Sequence, residues 1–177
     1  MKRVVFVTGG SRGIGKAMVK KFKDSGFAVA ACATTESGAV QSGADYGFKC
    51  DVGQVSEVKA GIAAVLARLG RIDVIINNAG AAGSNPLSAD SSDEIWHHII
   101  NVNLNGTYYV SKYSLPHLPD RTGKIINIAS VLALKGVPDQ TAYCAAKHGV
   151  LGFTRALSHH AAPRGITVNT ICPGWTR

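Results

Sequence analysis

The chain has 177 residues, of which 46% are hydrophobic and 17% are charged, and it carries a formal net charge of +8. This length and composition predict one globular domain, residues 1–177, with a complete hydrophobic core. No apolar run reaches the roughly 18 residues that a membrane-spanning helix needs. No secretory signal precedes the first apolar segment, so we expect a cytoplasmic protein without a membrane partner.

The excess of basic residues raises the question of nucleic-acid binding. The densest basic cluster lies in residues 16–23 at helical spacing, which is typical of a solvated helix face, and no aromatic residues are interleaved with it. We therefore expect no nucleic-acid partner and interpret the charge as attraction for an anionic substrate or an acidic carrier. The four cysteines show no C-x-x-C spacing and are expected to be small buried residues in a reducing compartment, not metal ligands.

Apolar strand-like segments alternate with helical segments along the whole chain. The predicted strands are residues 4–8, 28–33, 46–50, 74–77, 124–129 and 167–172, and the predicted helices are residues 14–25, 55–69, 93–118 and 142–162. This alternation indicates a parallel sheet covered on both faces, a doubly wound α/β fold of the Rossmann type with three layers. The Gly- and Ser-rich link from residue 33 to residue 46 leaves room for one helical turn at most.

The first predicted strand ends in a glycine-rich turn, T-G-G-S-R-G-I-G, from Thr8 to Gly15. Gly9, Gly13 and Gly15 permit tight backbone geometry and allow the main chain to approach a pyrophosphate closely. The helix that follows points its free N–H groups at the same place, which favours a bound phosphate. The position of this turn between a strand and an amphipathic helix predicts a dinucleotide-binding site.

A serine, a tyrosine and a lysine follow in the second half of the chain. Tyr143 lies 13 positions after Ser130, and Lys147 lies four positions after Tyr143. Residues four apart share a helix face, so the ammonium is expected beside the phenol, whose free pKa of about 10 it would lower. We interpret the pair as a proton donor and acceptor, with the Ser130 hydroxyl holding the reacting oxygen.

Tyr108 and Lys112 repeat the same spacing. They lie well inside a predicted helix, and no comparable serine precedes them. Ser130, in contrast, follows a strand at the edge where an open α/β sheet presents its ligand crevice. We therefore interpret Tyr108 as a packing residue at a helix–helix contact.

Together these motifs resemble those of the short-chain dehydrogenase/reductase family, and within it the 3-oxoacyl-(acyl-carrier-protein) reductases. The resemblance is carried by T-G-x-x-x-G-x-G at Thr8 to Gly15, N-N-A-G at Asn77 to Gly80, Asn103 before a leucine, Ser130, Tyr143, Lys147 and Pro173-Gly174. These motifs span almost the whole chain in the order and spacing of that family.

The resemblance implies a role for each catalytic position. Tyr143 would exchange a proton with the substrate oxygen, Ser130 would polarise the carbonyl, and Asn103 would anchor a water for proton resupply. Lys147 would bind the nicotinamide ribose and lower the pKa of the tyrosine by about three units, which is worth about 4 kcal/mol. Asn101 and Asn105 are alternative candidates for this water-anchoring role. Asn103 could instead be a polar residue that kinks a helix.

The resemblance also implies a set of cofactor contacts. They are Gly9, Ser11, Arg12, Gly13, Ile14, Gly15, Thr34, Thr35, Asp51, Val52, Asn78, Ala79, Gly80, Tyr143, Lys147, Pro173 and Gly174. Asp51 could instead cap the following helix, and Asn78 could be purely structural.

The residues after the second strand bear on the choice of cofactor. An NAD site usually has a carboxylate there, but this chain has Thr34 and Thr35, with Glu36 slightly late. Arg12 is free to pair with a phosphate, although it could equally be a solvated loop residue. We predict NADP(H) in preference to NAD(H).

The predicted function is NADPH-dependent reduction of a carbonyl, with a 3-oxoacyl thioester of acyl carrier protein or CoA as substrate, as in fatty acid biosynthesis. The alternatives are oxidation of a small secondary alcohol, such as 3-hydroxybutyrate or a polyol, and a non-catalytic dinucleotide sensor that binds partners. Arg121, Lys124 and Arg164 are the expected basic residues for an acyl carrier protein.

The resemblance further implies a homodimer or homotetramer, with residues 93–118 and 142–162 forming a four-helix interface. Members of the family usually continue past the Pro-Gly pair through a lid, another helix and a seventh strand, which this sequence lacks. We therefore expect it to be the ordered part of a longer chain.

Overall fold

The structure is a computed structural model that describes residues 2–176. Its strands are β1 (Val4–Thr8), β2 (Ala28–Ala33), β3 (Tyr46–Lys49), β4 (Val74–Asn77), β5 (Lys124–Ile128) and β6 (Thr167–Ile171). Its α-helices are α1 (Gly13–Asp24), α2 (Glu36–Gln41), α3 (Val55–Leu69), α4 (Asp93–Ile100), α5 (Gly106–Ser114) and α6 (Thr141–Ala161). Strands and helices alternate as the sequence predicts.

The six strands form one parallel sheet in the order β3-β2-β1-β4-β5-β6. The chain moves outward from β1 to β3, returns to the middle, and then moves outward on the other side. The reversal between β1 and β4 opens a crevice at the carboxyl ends of the central strands, which is where α/β sheets of this kind bind ligands. The predicted doubly wound α/β fold is confirmed.

The central strands are buried on both faces because their residues alternate between two hydrophobic layers. Val4 and Phe6 of β1 belong to one layer, which α3, α5 and α6 cover. Val5 and Val7 belong to the other layer, where they meet Val19 of α1. Burial on both faces explains why these strands are apolar throughout rather than alternating.

Two helical predictions need correction. The link from residue 33 to residue 46 holds more than one turn, since α2 has six residues, and the hydroxyl oxygen of Thr35 caps it by accepting a hydrogen bond from the Gly38 amide at 3.0 Å. The helix predicted over residues 93–118 is not a continuous α-helix. A π-helical segment, Asn101–Asn105, separates α4 from α5, and a 3-10 turn, Leu115–His117, follows α5.

A chain of buried polar side chains ties the sheet to its helices. Asn77 and Asn127 face each other on β4 and β5, and Asn77 donates to the Asn127 side chain at 2.8 Å and to the Ser111 hydroxyl at 2.9 Å. Asn127 donates in turn to Thr154 of α6, at 2.8 Å. These bonds fix α5 and α6, and therefore the residues that they carry, against the central strands.

The three basic residues expected to attract an acyl carrier lie at the amino ends of β5 and β6. Arg164 is held in place, since it pairs with Asp120 at 2.8 Å and donates to two main-chain carbonyls, those of Leu115 and Leu118. The glycine turn and Ser130 lie at the opposite, carboxyl ends of the strands. Because a five-residue strand is about 17 Å long, the basic residues are separated from the groove by roughly that distance. A carrier role for Arg121, Lys124 and Arg164 therefore stays a prediction that their position does not favour.

Other general predictions can be compared directly with the structure. Cys32, Cys50 and Cys144 are buried and Cys172 is partly exposed, largely as expected for small apolar residues. Among residues 2–176, no helix is both long and apolar enough to cross a membrane.

Candidate active site

The glycine turn is fastened to the motif that follows β4. The Thr8 hydroxyl accepts hydrogen bonds from the amides of Asn78 and Ala79, each at 3.0 Å. The Asn78 side chain donates to the carbonyls of Thr8 and Gly9, at 3.0 and 3.1 Å. The structural alternative for Asn78 is therefore realised, because it holds the two motifs together at the crevice.

Glycines make this junction possible because no side chain would fit. Gly9 has a φ of +67°, and a Cβ atom there would lie 2.9 Å from the Cα atom of Ala79. A Cβ atom on Gly15 would collide with the carbonyl oxygen of Gly9. The residue before α1, Arg12, makes no capping bond with its side chain, which leaves the amides of the first helical turn available to an anion.

A cavity of about 440 Å³ opens above this turn at the carboxyl ends of the strands. Eleven of the predicted cofactor contacts line it: Gly9, Ser11, Arg12, Ile14, Gly15, Thr34, Asp51, Val52, Asn78, Ala79 and Gly80. Of the other six, Tyr143, Lys147, Pro173 and Gly174 line the adjoining cavity, and two line neither cavity. Gly13 shapes the turn with a φ of +53°, and Thr35 caps α2, so a direct role for either toward a cofactor stays a prediction.

Asp51 forms a local turn at the rim of this cavity. Its carboxylate accepts a hydrogen bond from the Gly53 amide at 2.9 Å, whereas the residue before α3 is Gln54, whose side chain makes no capping bond. Asp51 therefore stabilises the β3–α3 loop rather than capping the helix, and it leaves the loop in the wall of the cavity.

A second cavity, of about 260 Å³, adjoins the first and shares Ile14, Asn78, Gly80, Ala81 and Thr176 with it. All the predicted catalytic residues line this second cavity: Asn103, Ser130, Tyr143 and Lys147. Pro173 and Gly174 line it as well. The structure therefore brings the glycine turn and the catalytic candidates into one continuous groove.

Lys147 is the buried cation of this groove. It is only 4% exposed, and its ammonium donates a hydrogen bond of 2.8 Å to the carbonyl of Ile128. Burial lowers the pKa of Lys147 to about 8. An ammonium held this way is close to losing its proton under mildly alkaline conditions.

Tyr143 departs from the expectation of a lowered pKa. The ammonium nitrogen of Lys147 lies 5.5 Å from the centre of the Tyr143 ring. Burial raises the pKa of Tyr143, although the nearby Ser130 hydroxyl partly opposes this effect. Burial penalises the phenolate, and the bond of Lys147 to Ile128 directs the ammonium elsewhere. In this structure Tyr143 is therefore a protonated donor, and the predicted fall of three units is wrong for this state.

Asn103 lies in the π-helical segment and is completely buried. Its amide nitrogen donates to the carbonyls of Ala81 and Ile99, at 2.7 and 2.9 Å. Its amide oxygen has no partner among the described residues, which is costly for a buried acceptor unless a water or ligand supplies a hydrogen. A Cβ atom placed on Gly80 would lie 2.8 Å from this oxygen and 3.8 Å from Nζ of Lys147, so both polar atoms border the same small space.

The loop after β4 is attached to the start of α6. The Thr141 hydroxyl donates to the side chain and the carbonyl of Asn85, at 2.7 and 2.8 Å, and the Asn85 amide donates to the carbonyl of Asp139 at 2.7 Å. This attachment holds the segment before Tyr143 against the loop that follows β4. Asn85 was not predicted, and its sequence neighbours give no signal for it.

The second tyrosine–lysine pair lies elsewhere. Tyr108 packs edge-on against Phe153 of α6, with ring centroids 6.0 Å apart, and Lys112 lies 5.3 Å from the Tyr108 ring. Neither residue lines the groove. The interpretation of Tyr108 as a helix–helix packing residue is confirmed, although the side chain is 40% exposed.

A larger cavity, of about 580 Å³, lies on the outer side of α1 and is lined by Lys16, Lys20 and Lys23 among others. Two of these lysines are already paired, Lys20 with Asp24 and Lys23 with Asp45. No predicted catalytic residue reaches this cavity. The chemistry therefore identifies the groove, and not this outer cavity, as the candidate site.

The groove also includes residues that the sequence did not single out. They are Ala33, Cys50, Ala81, Ala82, His98, Val102, Ile128, Ala129 and Thr176. Several of them are the last residue of a strand or the residue directly after it. The rule that ligands of α/β sheets bind beyond the carboxyl ends of the strands could have identified these residues.

Comparisons with known proteins bear on the fold and the class of reaction. A family model described as short chain dehydrogenase matches residues 3–177. A putative ketoacyl reductase of Streptomyces coelicolor is 40% identical over 183 residues, which cover 97% of this chain and 70% of the relative. An acetoacetyl-CoA reductase of Shinella zoogloeoides is 43% identical over 180 residues, which cover 99% and 74%.

Solved structures agree as well. A variant of actinorhodin polyketide ketoreductase, determined with NADPH, superposes with a TM-score of 0.91 at 38% identity, covering 99% of this chain and 71% of that one.

Proposed function

Because this chain belongs to the short-chain dehydrogenase family and is an NAD(P)-dependent oxidoreductase, we propose that it reduces the keto group of a 3-oxoacyl thioester with NADPH. One observation carries the proposal: Ser130, Tyr143, Lys147 and Asn103 line a cavity that is continuous with the cavity above the glycine turn. That arrangement places a proton donor, a cation and a buried acceptor beside the expected dinucleotide site.

The residues present fit a dinucleotide. The glycine turn offers uncapped helix amides where side chains are excluded, and Gly80 leaves open the space between Asn103 and Lys147. The unpaired buried oxygen of Asn103 also requires a hydrogen-bond donor from a water or a ligand. When bound, the nicotinamide supplies the hydride for carbonyl reduction.

Tyr143 is suited to give a proton to the substrate oxygen. Its raised pKa keeps it protonated near neutrality, and its position in the first turn of α6 places it in the wall of the groove. Ser130 would donate its hydroxyl proton to the same oxygen, because its own oxygen already accepts a hydrogen bond from Leu132 at 3.1 Å. The Lys147 charge then stabilises the phenolate left behind.

Proton resupply would run through Asn103. A water bound to its free oxygen would lie in the space that it shares with the ammonium of Lys147. The lowered pKa of Lys147 favours transfer of a proton from this ammonium. Asn103 is thus a positioning residue for the water.

NADPH is the proposed cofactor because of the charges around the adenosine half of the groove. Arg12 is exposed in its wall and makes no ion pair with any residue of the described chain, and Thr34 is exposed beside it. Asp51, the carboxylate in this wall, is engaged by the Gly53 amide. A 2′-phosphate would therefore meet a free guanidinium and a hydroxyl.

The thioester is proposed from the relatives, whose names are ketoacyl reductase and acetoacetyl-CoA reductase. The test is consumption of NADPH by the purified protein with acetoacetyl-CoA, compared with a simple ketone of similar size. We expect the thioester to be turned over with a kcat/KM at least tenfold higher. Equal rates would reject the thioester, and activity only in oxidation of 3-hydroxybutyrate or a polyol would reverse the proposed direction.

We also propose self-association through α4, α5 and α6. These helices leave Ile95, Trp96 and Tyr108 about 40% exposed, which is unusual for large apolar side chains on helices that flank an active site. Light scattering should give a mass of two or four chains, and Trp96→Glu should lower it. A monomeric mass for the wild-type protein would reject this assembly.

A further inference from the structure

The first turn of α6, which carries Tyr143, is held from outside the helix. Gln140 precedes the helix and makes no capping bond with its side chain, and an uncapped first turn tends to fray. The hydroxyl of Thr141, the first helical residue, donates to the side-chain oxygen and the carbonyl of Asn85, at 2.7 and 2.8 Å. Asn85 therefore anchors a turn that its own sequence leaves uncapped.

Asn85 is itself firmly built into the structure. It is only 6% exposed, its backbone forms an isolated parallel bridge with Gln140, and its amide donates to the carbonyl of Asp139 at 2.7 Å. Polar groups that are buried in this way are costly unless they are hydrogen-bonded, so the bonds hold the residue in one place. Asn85 is thus joined to three successive residues, 139–141, directly before the segment that carries the catalytic tyrosine.

The rest of α6 has different anchors, which lie on the sheet. The ammonium of Lys147 donates to the carbonyl of Ile128 at 2.8 Å, one turn beyond Tyr143. Thr154, three turns beyond Tyr143, accepts a hydrogen bond of 2.8 Å from Asn127. Loss of the contact with Asn85 should therefore release the first turn of α6 alone, while the lysine and the remainder of the helix keep their places.

The joint acts on the smaller cavity of the groove. Ala82, in the loop that leads to Asn85, lines this cavity together with Tyr143. Neither Asn85 nor Thr141 lines the cavity above the glycine turn. A shift of the first turn would therefore move the phenol relative to a bound substrate and leave the dinucleotide cavity intact. Small misplacements of a catalytic group, of about 1 Å, can cost about 100-fold in rate.

We propose that Asn85, acting through Thr141, is a positioning residue for Tyr143 and holds the phenol within reach of the substrate oxygen. Ser130 and Lys147 are placed by β5 and by the bond to Ile128, so Asn85 sets the position of the tyrosine relative to both. The inference rests on the proposed function, because it concerns the proton donor of that reaction.

The test compares NADPH-dependent reduction of acetoacetyl-CoA in four variants with the wild type. Thr141→Val keeps the branched shape but removes both bonds, and it should lower kcat about 10- to 100-fold. Asn85→Ala keeps the main-chain bond and should lower kcat less. Thr141→Ser and Asn85→Asp retain the hydroxyl and the accepting oxygen, so they should restore most of the rate. In every variant the Kd for NADPH, from fluorescence titration, should stay within about twofold of the wild type.

Ser158→Ala is the matched control. It removes a hydroxyl from the far end of the same helix, where it donates to the carbonyl of Arg155, and it should leave kcat unchanged. Two further measurements separate positioning from general loosening. The solvent deuterium isotope effect on kcat should increase in Thr141→Val, because proton transfer becomes the slow step. In a Tyr143→Phe background the same substitution should cost little further activity, because the group that it displaces is already absent.

Three results would overturn the role of Asn85 while leaving the proposed function intact. They are an unchanged kcat in Thr141→Val, a Kd for NADPH that rises as much as kcat falls, and equal losses with and without the Tyr143 hydroxyl. Thr141→Val decides the question if Asn85→Ala does not fold. A wild-type protein that binds NADPH but reduces no 3-oxoacyl thioester would instead overturn the proposed function.

Discussion

The ammonium nitrogen of Lys147 lies 5.5 Å from the centre of the Tyr143 ring, one turn further along α6. The same nitrogen donates to the carbonyl of Ile128, and the lysine side chain is almost wholly buried. A charge in this position is unfavourable for folding but useful for the proposed chemistry, because it lies near the proton donor and borders the same small space as the free oxygen of Asn103. The pair therefore links the stability of the protein to its activity.

Lys147→Met should make the protein more stable and inactive. Burial lowers the pKa of this lysine from 10.5 to about 8, so the folded state carries the cost of a buried charge at pH 7. Removing that charge should raise the free energy of unfolding by ~1–3 kcal/mol in urea denaturation. Lys112→Met, which removes the exposed lysine four residues after Tyr108, should leave the free energy of unfolding unchanged.

The sign of the pH dependence provides a check on the same variant. Below pH 8 both folded and unfolded states hold the proton of Lys147, and the cost is fully present. Between about pH 8 and pH 10.5 the folded state releases the proton first, so the wild type gains stability as the pH rises. The advantage of Lys147→Met should therefore shrink over this range, and a constant or growing advantage would contradict the assignment.

The rate of reduction should have its own pH dependence. For NADPH, kcat/KM reports ionisations of the free enzyme, and it should fall as the pH rises through about 8, because Lys147 then loses its charge. Tyr143, with its raised pKa, should remain protonated in this range. Lys147→Arg keeps a positive charge and should lack the descending limb, even if its rate is low. Persistence of the limb in that variant would assign it to another group.

Gly15→Ala should damage the cofactor site through sterics alone. The added methyl group would collide with the Gly9 carbonyl and lie 2.5 Å from the Asn78 side chain, both of which hold the turn in place. We expect a loss of ~1–3 kcal/mol in the free energy of unfolding and a higher Kd for NADPH. Gly152→Ala is the matched control, since nothing lies within 4 Å of its Cβ position in α6, and it should gain up to ~1 kcal/mol.

Arg12→Ala should change cofactor preference. If the guanidinium pairs with the 2′-phosphate, the Kd for NADPH should rise roughly tenfold while that for NADH changes little. Lys16→Ala, which removes a charge one turn into α1 and outside the groove, should affect neither. Equal losses for NADPH and NADH in Arg12→Ala would place the contact at the pyrophosphate, which both cofactors share.

The sequence predicted the sheet and the grouping of the catalytic candidates well because both depend on local patterns. Strands buried on both faces are continuous apolar runs, and their predicted bounds differ from the observed ones by at most one residue. The spacing of Tyr143 and Lys147 fixes a shared helix face in the same way. Because the motifs follow the carboxyl ends of parallel strands, the fold brings them together at one edge of the sheet.

The features that the sequence did not predict depend on contacts between distant residues. The π-helical segment at Asn103 accompanies a hydrogen bond to Ala81, which lies 22 residues earlier in the chain, and no local pattern encodes such a bond. Thr34 and Thr35 are adjacent residues of the same type, yet only the fold shows that Thr34 lines the cavity and that Thr35 caps α2. The pKa of Tyr143 depends on burial and on where the lysine points, and both require coordinates.

Comparison of Tyr143→Phe with Tyr108→Phe tests the central claim most directly, because both tyrosines precede a lysine by four residues and only Tyr143 lines the groove. Thioester-dependent oxidation of NADPH should fall at least a thousandfold in Tyr143→Phe, whereas Tyr108→Phe should retain most activity and both variants should bind NADPH. Substantial turnover in Tyr143→Phe would show that another group supplies the proton and would contradict the account.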